Sequence, residues 1–455
     1  MSWVTALVVV GALVLGGAVA WSRGALNPLI CGGSCGPENV VPPDALVASG
    51  RAGDSAVRTE PTGTLDAAAL SKAVAGPLRD ADLGDRVGLA ASVVGGPVTT
   101  VGTDAAFTPA STAKVLTSFT ALTQLDPERR FTTRTVLDGD RIVLVGGGDP
   151  YLVVDRSKGD PAVERAELTR LARDTARAAT ARKVGTVRLG YDTSLFSGPA
   201  ASPDWEPSYV SGRIVSPVSA LWVGRGTSGG VRVPDPAASA ASTFAGLLRD
   251  RGLSVEGDPS RVEAPEGART LAAVRSATVA QISEHLISTS DNEAAEVMLR
   301  QAALAAGRPG SFTGGAKTVR ATLRAAGVPV DGLRLSDGSG LSRKDRVEPR
   351  TLVGTLSAAA NRSRTSSLLA DLPVGAFNGT LRNRFAKPTD VRGAVRAKTG
   401  TLTGIHSLAG VVTDREGTPI VLTVMTDRTA AINPFATQAA LDDVASAVAA
   451  CRCSG

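Results

Sequence analysis

Ser111 and Lys114 stand three residues apart in the run Thr108-Pro109-Ala110-Ser111-Thr112-Ala113-Lys114-Val115-Leu116. Residues at i and i+3 share one face of a helix, so the serine hydroxyl and the lysine amine can meet. A serine is a weak nucleophile until a neighbouring base takes its proton. A lysine withdrawn from water can be that base, because burial disfavours its charged form and lowers its pKa. The same spacing also describes a helix-start serine followed by a solvated lysine. Other residues must therefore decide whether the pair means chemistry.

Two further short motifs follow in order, Ser290-Asp291-Asn292 and Lys398-Thr399-Gly400, and each occurs once in the chain. Acyl transfer needs a nucleophile, a base, a proton path to the leaving group and an oxyanion site. Ser111 supplies the first and Lys114 the second. Ser290 can relay a proton, and Lys398, a second lysine nearby, favours a neutral Lys114. Asn292 can hold a substrate amide or the Lys114 amine. Thr399 and Thr401 can bind a terminal carboxylate, with Lys398 adding positive potential. Gly400 lets a substrate approach the strand edge closely, where an acyl-peptide can add as an extra strand. The backbone N–H groups of Ser111 and Thr401 would form the oxyanion hole. Asp291 is counted with the substrate-binding residues, although this run also suits a cap for the helix that follows it.

Composition narrows the alternatives. The chain has 455 residues, 43% hydrophobic and 20% charged, a globular balance too long for one ordinary core. Only eight lysines are present, so few can fall into motifs by chance. The net charge is +6, yet basic and acidic residues interleave, which reads as solvated surface rather than a nucleic-acid footprint. There are two histidines, His285 and His406, and no H-E-x-x-H, so zinc peptidase chemistry is not expected and no metal or cofactor is called for. The four cysteines, Cys31, Cys35, Cys451 and Cys453, lie at the fringes of the chain. They read as one or two disulfides of an exported protein, with a bridge between the two ends attractive and the connectivity open.

The elements that must position the motifs can be read in order. Val4–Trp21 is uncharged and almost wholly apolar, an export segment of a length between a signal peptide and a membrane anchor. We take residues 1–23 as that segment and 24–64, rich in Pro and Gly, as a linker. A helix from Leu65, strands at Val87–Val94 and Val98–Val101, and a helix from Ser111 to Gln124 come next. Phe131–Leu137 and Arg141–Val145 form a hairpin around Asp138-Gly139-Asp140. Helices at Ala162–Ala181 and Ala237–Arg251 and a strand at Val184–Tyr191 complete an inserted module over 128–272. Gly224–Gly230 (GRGTSGG) satisfies two glycine-rich motifs, but a strand and not a helix follows it, so it reads as a hairpin loop. Helices dominate from Leu271, a polar loop spans Ser336–Arg346, and a strand at Ala394–Ala397 ends in the Lys398 motif. Two antiparallel strands, Ser407–Thr413 and Thr418–Thr426, and a helix over Asn433–Ala450 close the chain. The catalytic body is then 65–127 together with 273–455.

The three motifs resemble those of the penicillin-binding protein and serine β-lactamase superfamily. More narrowly, the chain resembles the low-molecular-mass class C D-alanyl-D-alanine carboxypeptidases and endopeptidases. The long connection from Lys114 to Ser290, Gly147–Leu152 (GGDPYL), Ser336–Val347 (SDGSGLSRKDRV), Leu372–Leu381 and Lys398–Gly410 carry the narrower match, which covers about 65–450. The resemblance implies an α+β fold, an α/β/α sandwich with a five-stranded antiparallel sheet flanked by helices, and a trimmed inserted α/β module. It implies a serine carboxypeptidase acting on peptidoglycan stem peptides through an acyl-serine, with endopeptidase activity open, and acylation by β-lactam antibiotics. An extracytoplasmic place in the cell envelope, with membrane association through Val4–Trp21, goes with it. Two other readings fit part of the pattern. A β-lactamase would need a placed base that speeds deacylation; Glu293 and Glu296 follow the second motif but lie on its own helix, and neither is a clear candidate. A non-catalytic peptidoglycan-binding protein would have no use for the complete Ser/Lys/Ser/Asn/Lys set.

Overall fold

The computed structural model describes residues 63–156, 163–386, 391–430 and 433–454. The described residues belong to one compact unit. The expected export segment and all of the linker but Gly63 and Thr64, together with Cys31 and Cys35, lie outside the described residues. Among the described residues no helix is long and apolar enough to cross a membrane.

The first sheet joins β1 (Val87–Val93), β2 (Thr99–Gly102), β10 (Val395–Leu402), β11 (Ile405–Thr413) and β12 (Pro419–Thr426) in the order β10-β11-β12-β1-β2. All its pairings are antiparallel, with Leu89 opposite Val424 and Lys398 opposite Ala409. β1 and β12 are near-continuous apolar runs because both faces of the sheet are covered. Alternate residues serve alternate faces. Leu89, Ala91, Leu408, Leu422 and Val424 pack against α1 (Ala67–Val74) and the C-terminal helix Pro434–Ala449. Ala90, Ala409, Val421 and Met425 face the opposite layer.

That opposite layer is built around α2 (Ala113–Gln124). Every residue from Ala113 to Leu122 is buried, as the absence of charge other than Lys114 requires. Around it stand α5 (Val279–Thr289), α6 (Asn292–Ala305), α7 (Phe312–Ala325) and α8 (Pro349–Ala360). The result is the sandwich expected from the sequence.

A second five-stranded sheet occupies 130–278, in the order β8-β5-β4-β3-β9. It joins β3 (Arg130–Asp138), β4 (Arg141–Val145), β5 (Thr186–Asp192), β8 (Ser254–Arg261) and β9 (Arg269–Thr278). A two-stranded hairpin, β6 (Thr227–Ser228) and β7 (Val231–Arg232), stands apart from it. The β4–β5 and β5–β8 pairings are parallel and the others of this sheet antiparallel. Helices α3 (Leu168–Thr180) and α4 (Pro236–Arg249) cover one face. β9 leads straight into α5, whose start carries a capping box between Thr278 and Gln281.

Several expectations change. β8 and β9 are strands that the sequence does not announce: no element is expected over 252–270, and helices are expected to dominate from Leu271. β8 holds Pro259 and a positive-φ Gly257, both tolerated because it is the sheet edge. α3 begins at Leu168, later than Ala162, because Glu167 pairs with Val153 as a strand would. The helix expected at Ser111 starts as a 3-10 turn, Ala110–Thr112, ahead of α2. The Lys398 motif lies within β10 rather than after it. Cys451 is disulfide-bonded to Cys453, so neither bridges to the N-terminal segment. The two ends of the body still meet, through a Leu65–Ser454 bridge and the Asp66 N–H on the Cys453 carbonyl (2.8 Å).

Candidate active site

Ser111 rides on a turn held tightly from two sides. Ala110, just before it, has φ +46, a left-handed conformation that costs a non-glycine residue about 1–2 kcal/mol. The surroundings impose it. A Cβ on Gly340 would lie 1.8 Å from the Ala110 carbonyl oxygen, so only glycine lets the 336–346 loop close over the turn. From the other side Ser407 donates to the Pro109 carbonyl (2.6 Å) and lies 3.2 Å from Thr112 Oγ1. A Cβ on Gly400 would sit 2.6 Å from the Pro109 oxygen and 3.1 Å from the Ser111 nitrogen. The Cβ position at Gly400 is thus filled by the protein's own serine turn, a close approach that requires glycine there.

Lys114 is fully buried, and its Nζ has three neighbours. It lies 2.9 Å from Ser111 Oγ and donates to Asn292 Oδ1 (2.8 Å) and the Ser339 carbonyl (2.7 Å). Burial brings its pKa down to about 8, against the opposing pull of Asp337, Glu296, Asp291 and Glu293. Two of the three neighbours only accept hydrogen bonds. A neutral amine therefore spends both N–H groups on Asn292 and Ser339 and points its lone pair at Ser111.

Ser290 ends α5 in a left-handed conformation (φ 60, ψ 39). Its hydroxyl accepts from Lys398 Nζ at 2.9 Å, and Lys398 also donates to the Thr399 carbonyl (2.8 Å). Lys398 is fully buried, and its pKa falls well below the usual lysine value through burial first, then repulsion from Lys114 and Arg384. Thr399 donates to Thr380 Oγ1 (3.1 Å). Thr401 is exposed on β10, opposite His406.

Asp291 departs from its expected role. Its side chain is fully buried, one oxygen capping α6 at the Ala294 N–H (3.0 Å), the other paired with Arg225 (2.7 Å). Both oxygens are engaged inside the protein, so it braces the motif instead of meeting substrate. Arg225 belongs to the GRGTSGG stretch, which forms the β6–β7 hairpin, as read from the sequence. What the sequence did not suggest is that the hairpin supports the second motif. Arg225 holds Asp291, and Arg232 holds Glu293 (2.7 Å).

The support behind Lys114 was also missed in the sequence. Glu296 is buried and accepts the N–H groups of Gly338 (3.0 and 3.2 Å) and Ser339 (2.8 Å). Asp337 accepts those of Gly340 and Ser342 (both 2.7 Å) and the Trp205 indole N–H (2.6 Å). The histidines take other posts: His285 packs edge-on against the Tyr151 ring, and His406 is buried in β11.

Comparison with known proteins places the chain in a family. The model of the D-Ala-D-Ala carboxypeptidase 3 (S13) family matches residues 70–229 and 225–448. A carboxypeptidase of Mycobacterium tuberculosis is 35% identical over 371 residues, 78% of each chain. Carboxypeptidase DacB of Mycolicibacterium smegmatis is 33% identical over 398 residues, 84% of each chain. In fold, penicillin binding protein 4 of Haemophilus influenzae superposes with a TM-score of 0.68 at 20% identity, over 83% of this chain and 97% of that one. With its three motifs gathered around one buried lysine, the chain belongs to the D-Ala-D-Ala carboxypeptidase 3 (S13) family.

Proposed function

We propose that the chain is a serine-type D-Ala-D-Ala carboxypeptidase that cleaves peptidoglycan stem peptides through an acyl-Ser111 intermediate, and that penicillin acylates the same serine. The observation that carries this is the Lys114 amine, whose two N–H groups have fixed acceptors and whose remaining position faces Ser111 Oγ at 2.9 Å. Lys114 takes the Ser111 proton as Oγ attacks the penultimate D-Ala carbonyl. The N–H groups of Ser111 and Thr401 receive the oxyanion. Ser290, hydrogen-bonded to Lys398, passes a proton to the departing amine, and D-Ala leaves. Water then attacks the ester to restore the serine. Thr399, Thr401 and Lys398 bind the terminal carboxylate. Cleavage of D-amino-acid cross-links is an extension of the same chemistry.

The relatives' names and the family's description support this reading, and a related structure was solved with a β-lactam bound. Within it, 65–127 and 273–455 make the catalytic domain and 128–272 an insertion, while Val4–Trp21 directs the chain to the envelope, either as a cleaved signal or as a membrane tether.

Fluorescent penicillin tests the proposal directly. The wild-type protein becomes labelled one-to-one and Ser111→Ala does not; release of D-Ala from a stem pentapeptide follows the same pattern. An unlabelled wild type, or label that persists in Ser111→Ala, would refute it. Rapid multiple turnover of nitrocefin would show a β-lactamase instead.

A further inference from the structure

Asn292 and Glu296 occupy successive turns of one face of α6. Asn292 touches the Lys114 amine directly, while Glu296 reaches it only through Gly338 and Ser339. Those two residues lie in the segment whose Ser339 carbonyl is the other fixed acceptor of the amine. Glu296 holds the N–H groups of Gly338 and Ser339, and Asp337 holds that of Gly340. Three successive peptide groups are therefore clamped by two carboxylates. The last of the three carries the Ser339 carbonyl itself. Thr117 adds a hydrogen bond from α2 to the Gly338 carbonyl (2.7 Å).

We propose that Glu296 is a positioning residue for acylation: by fixing Gly338 and Ser339 it aims the Ser339 carbonyl at Lys114, and so turns the amine's lone pair toward Ser111. This rests on Lys114 being the base of an acyl-serine enzyme. Glu296 touches no reacting atom.

Its charge acts on the same amine. The groups facing Lys114 are Glu293 and Glu296 from α6, Asp291 from the turn before it, Asp337 from the loop with Asp345 behind it, and Lys398 from β10. Arg225 and Arg232 offset Asp291 and Glu293. Glu296 has no ion pair among the described residues; Arg300, further along the helix, is tied to the carbonyls of Ser197, Pro199 and Gly310. Burial, reinforced by Asp337, pushes the Glu296 carboxyl up to about 8, beside a Lys114 amine brought down to about 8. An amide at 296 removes the negative charge that favours the ammonium, so Lys114 loses its proton at lower pH.

The test is the rate of acylation by fluorescent penicillin, followed from acid to alkaline pH, for wild type, Glu296→Gln, Glu296→Ala and Ser111→Ala. Glu296→Gln keeps the volume and an oxygen acceptor; its rising limb moves to lower pH by about half a unit or more, with a plateau within about tenfold of wild type. Glu296→Ala frees the loop and slows acylation by roughly 10–100-fold, while the dissociation constant of the non-covalent penicillin complex stays within about threefold. A Glu296→Gln limb at the wild-type pH overturns the proposal, and so does Glu296→Ala acylating at the wild-type rate. Should Glu296→Ala fail to fold, Glu296→Gln alone decides. A wild type that takes no label, or a Ser111→Ala that does, overturns the acyl-serine reading instead.

Discussion

At the scale of the residue, the site is a problem of keeping one amine uncharged. Burial brings Lys114 to about 8, and only its neutral form can take the Ser111 proton. The sign follows: acylation rises with pH through about 8 and levels above it. A limb near the ordinary lysine value of about 10.4 would mean that burial does not govern the base. Lys114→Ala removes the base and lowers the acylation rate by roughly 10²–10⁴ on the alkaline plateau, read as the fluorescent label accumulates. The residues whose chemistry dictates both type and spacing were legible without coordinates: Ser111, Lys114, Ser290, Asn292 and Lys398 converge here from four elements. Asp291 was harder. A carboxylate inside such a motif looks chemical, yet its place just before a helix already pointed to capping, and capping is its work. Glu296 was illegible because its partners are backbone N–H groups of a loop some forty residues away, which no side-chain pattern announces.

At the scale of the element, most helices and the antiparallel strands follow from their periodicity, because each has a defined buried face. The exceptions have physical causes. β9 reads Arg-Thr-Leu-Ala-Ala-Val-Arg-Ser-Ala-Thr, whose alanines suit a helix; pairing with β3 makes it a strand. The Gly224–Gly230 hairpin was recognisable as a turn, since Gly229 and Gly230 supply the positive φ angles it needs. Its purpose is set only by the fold, which lays Arg225 against Asp291. Arg225 is about half exposed (46%) and Asp291 wholly buried (0%). Arg225→Ala leaves that carboxylate without its cation. Solvent screening on the arginine side moderates the loss, which should be about 1–3 kcal/mol in urea unfolding. Arg225→Lys should recover part of it, since the charge returns without the fixed geometry of the guanidinium. A loss within experimental error would show that the hairpin does not brace the second motif.

At the scale of the whole molecule, the segment between the first two motifs reaches back into the site by way of residues 202–206. Asp204 accepts from Ser336 Oγ (2.7 Å) and Lys344 Nζ (2.6 Å), Glu206 pairs with Arg343, and Trp205 donates its indole N–H to Asp337 (2.6 Å). All of these contacts fall on the 336–346 loop, the loop that carries the Ser339 carbonyl to Lys114. The loop is therefore held between Glu296 on one side and the 202–206 strap on the other. Trp205 is the telling residue, because its ring packs edge-on against Phe312 and only its N–H meets the loop's buried acid. Trp205→Phe keeps an aromatic ring there and removes that one donor from a buried carboxylate, a loss of about 1–3 kcal/mol in stability. If the strap aims the loop, acylation by penicillin also slows, by about tenfold, since small misplacements at a reacting centre are costly. Thermal unfolding and acylation rate measured on the same preparation separate the two effects. A destabilised variant that acylates at the wild-type rate would reduce the strap to packing. A slowed one would make a segment distant in sequence from all three motifs part of what keeps the catalytic lysine on its serine.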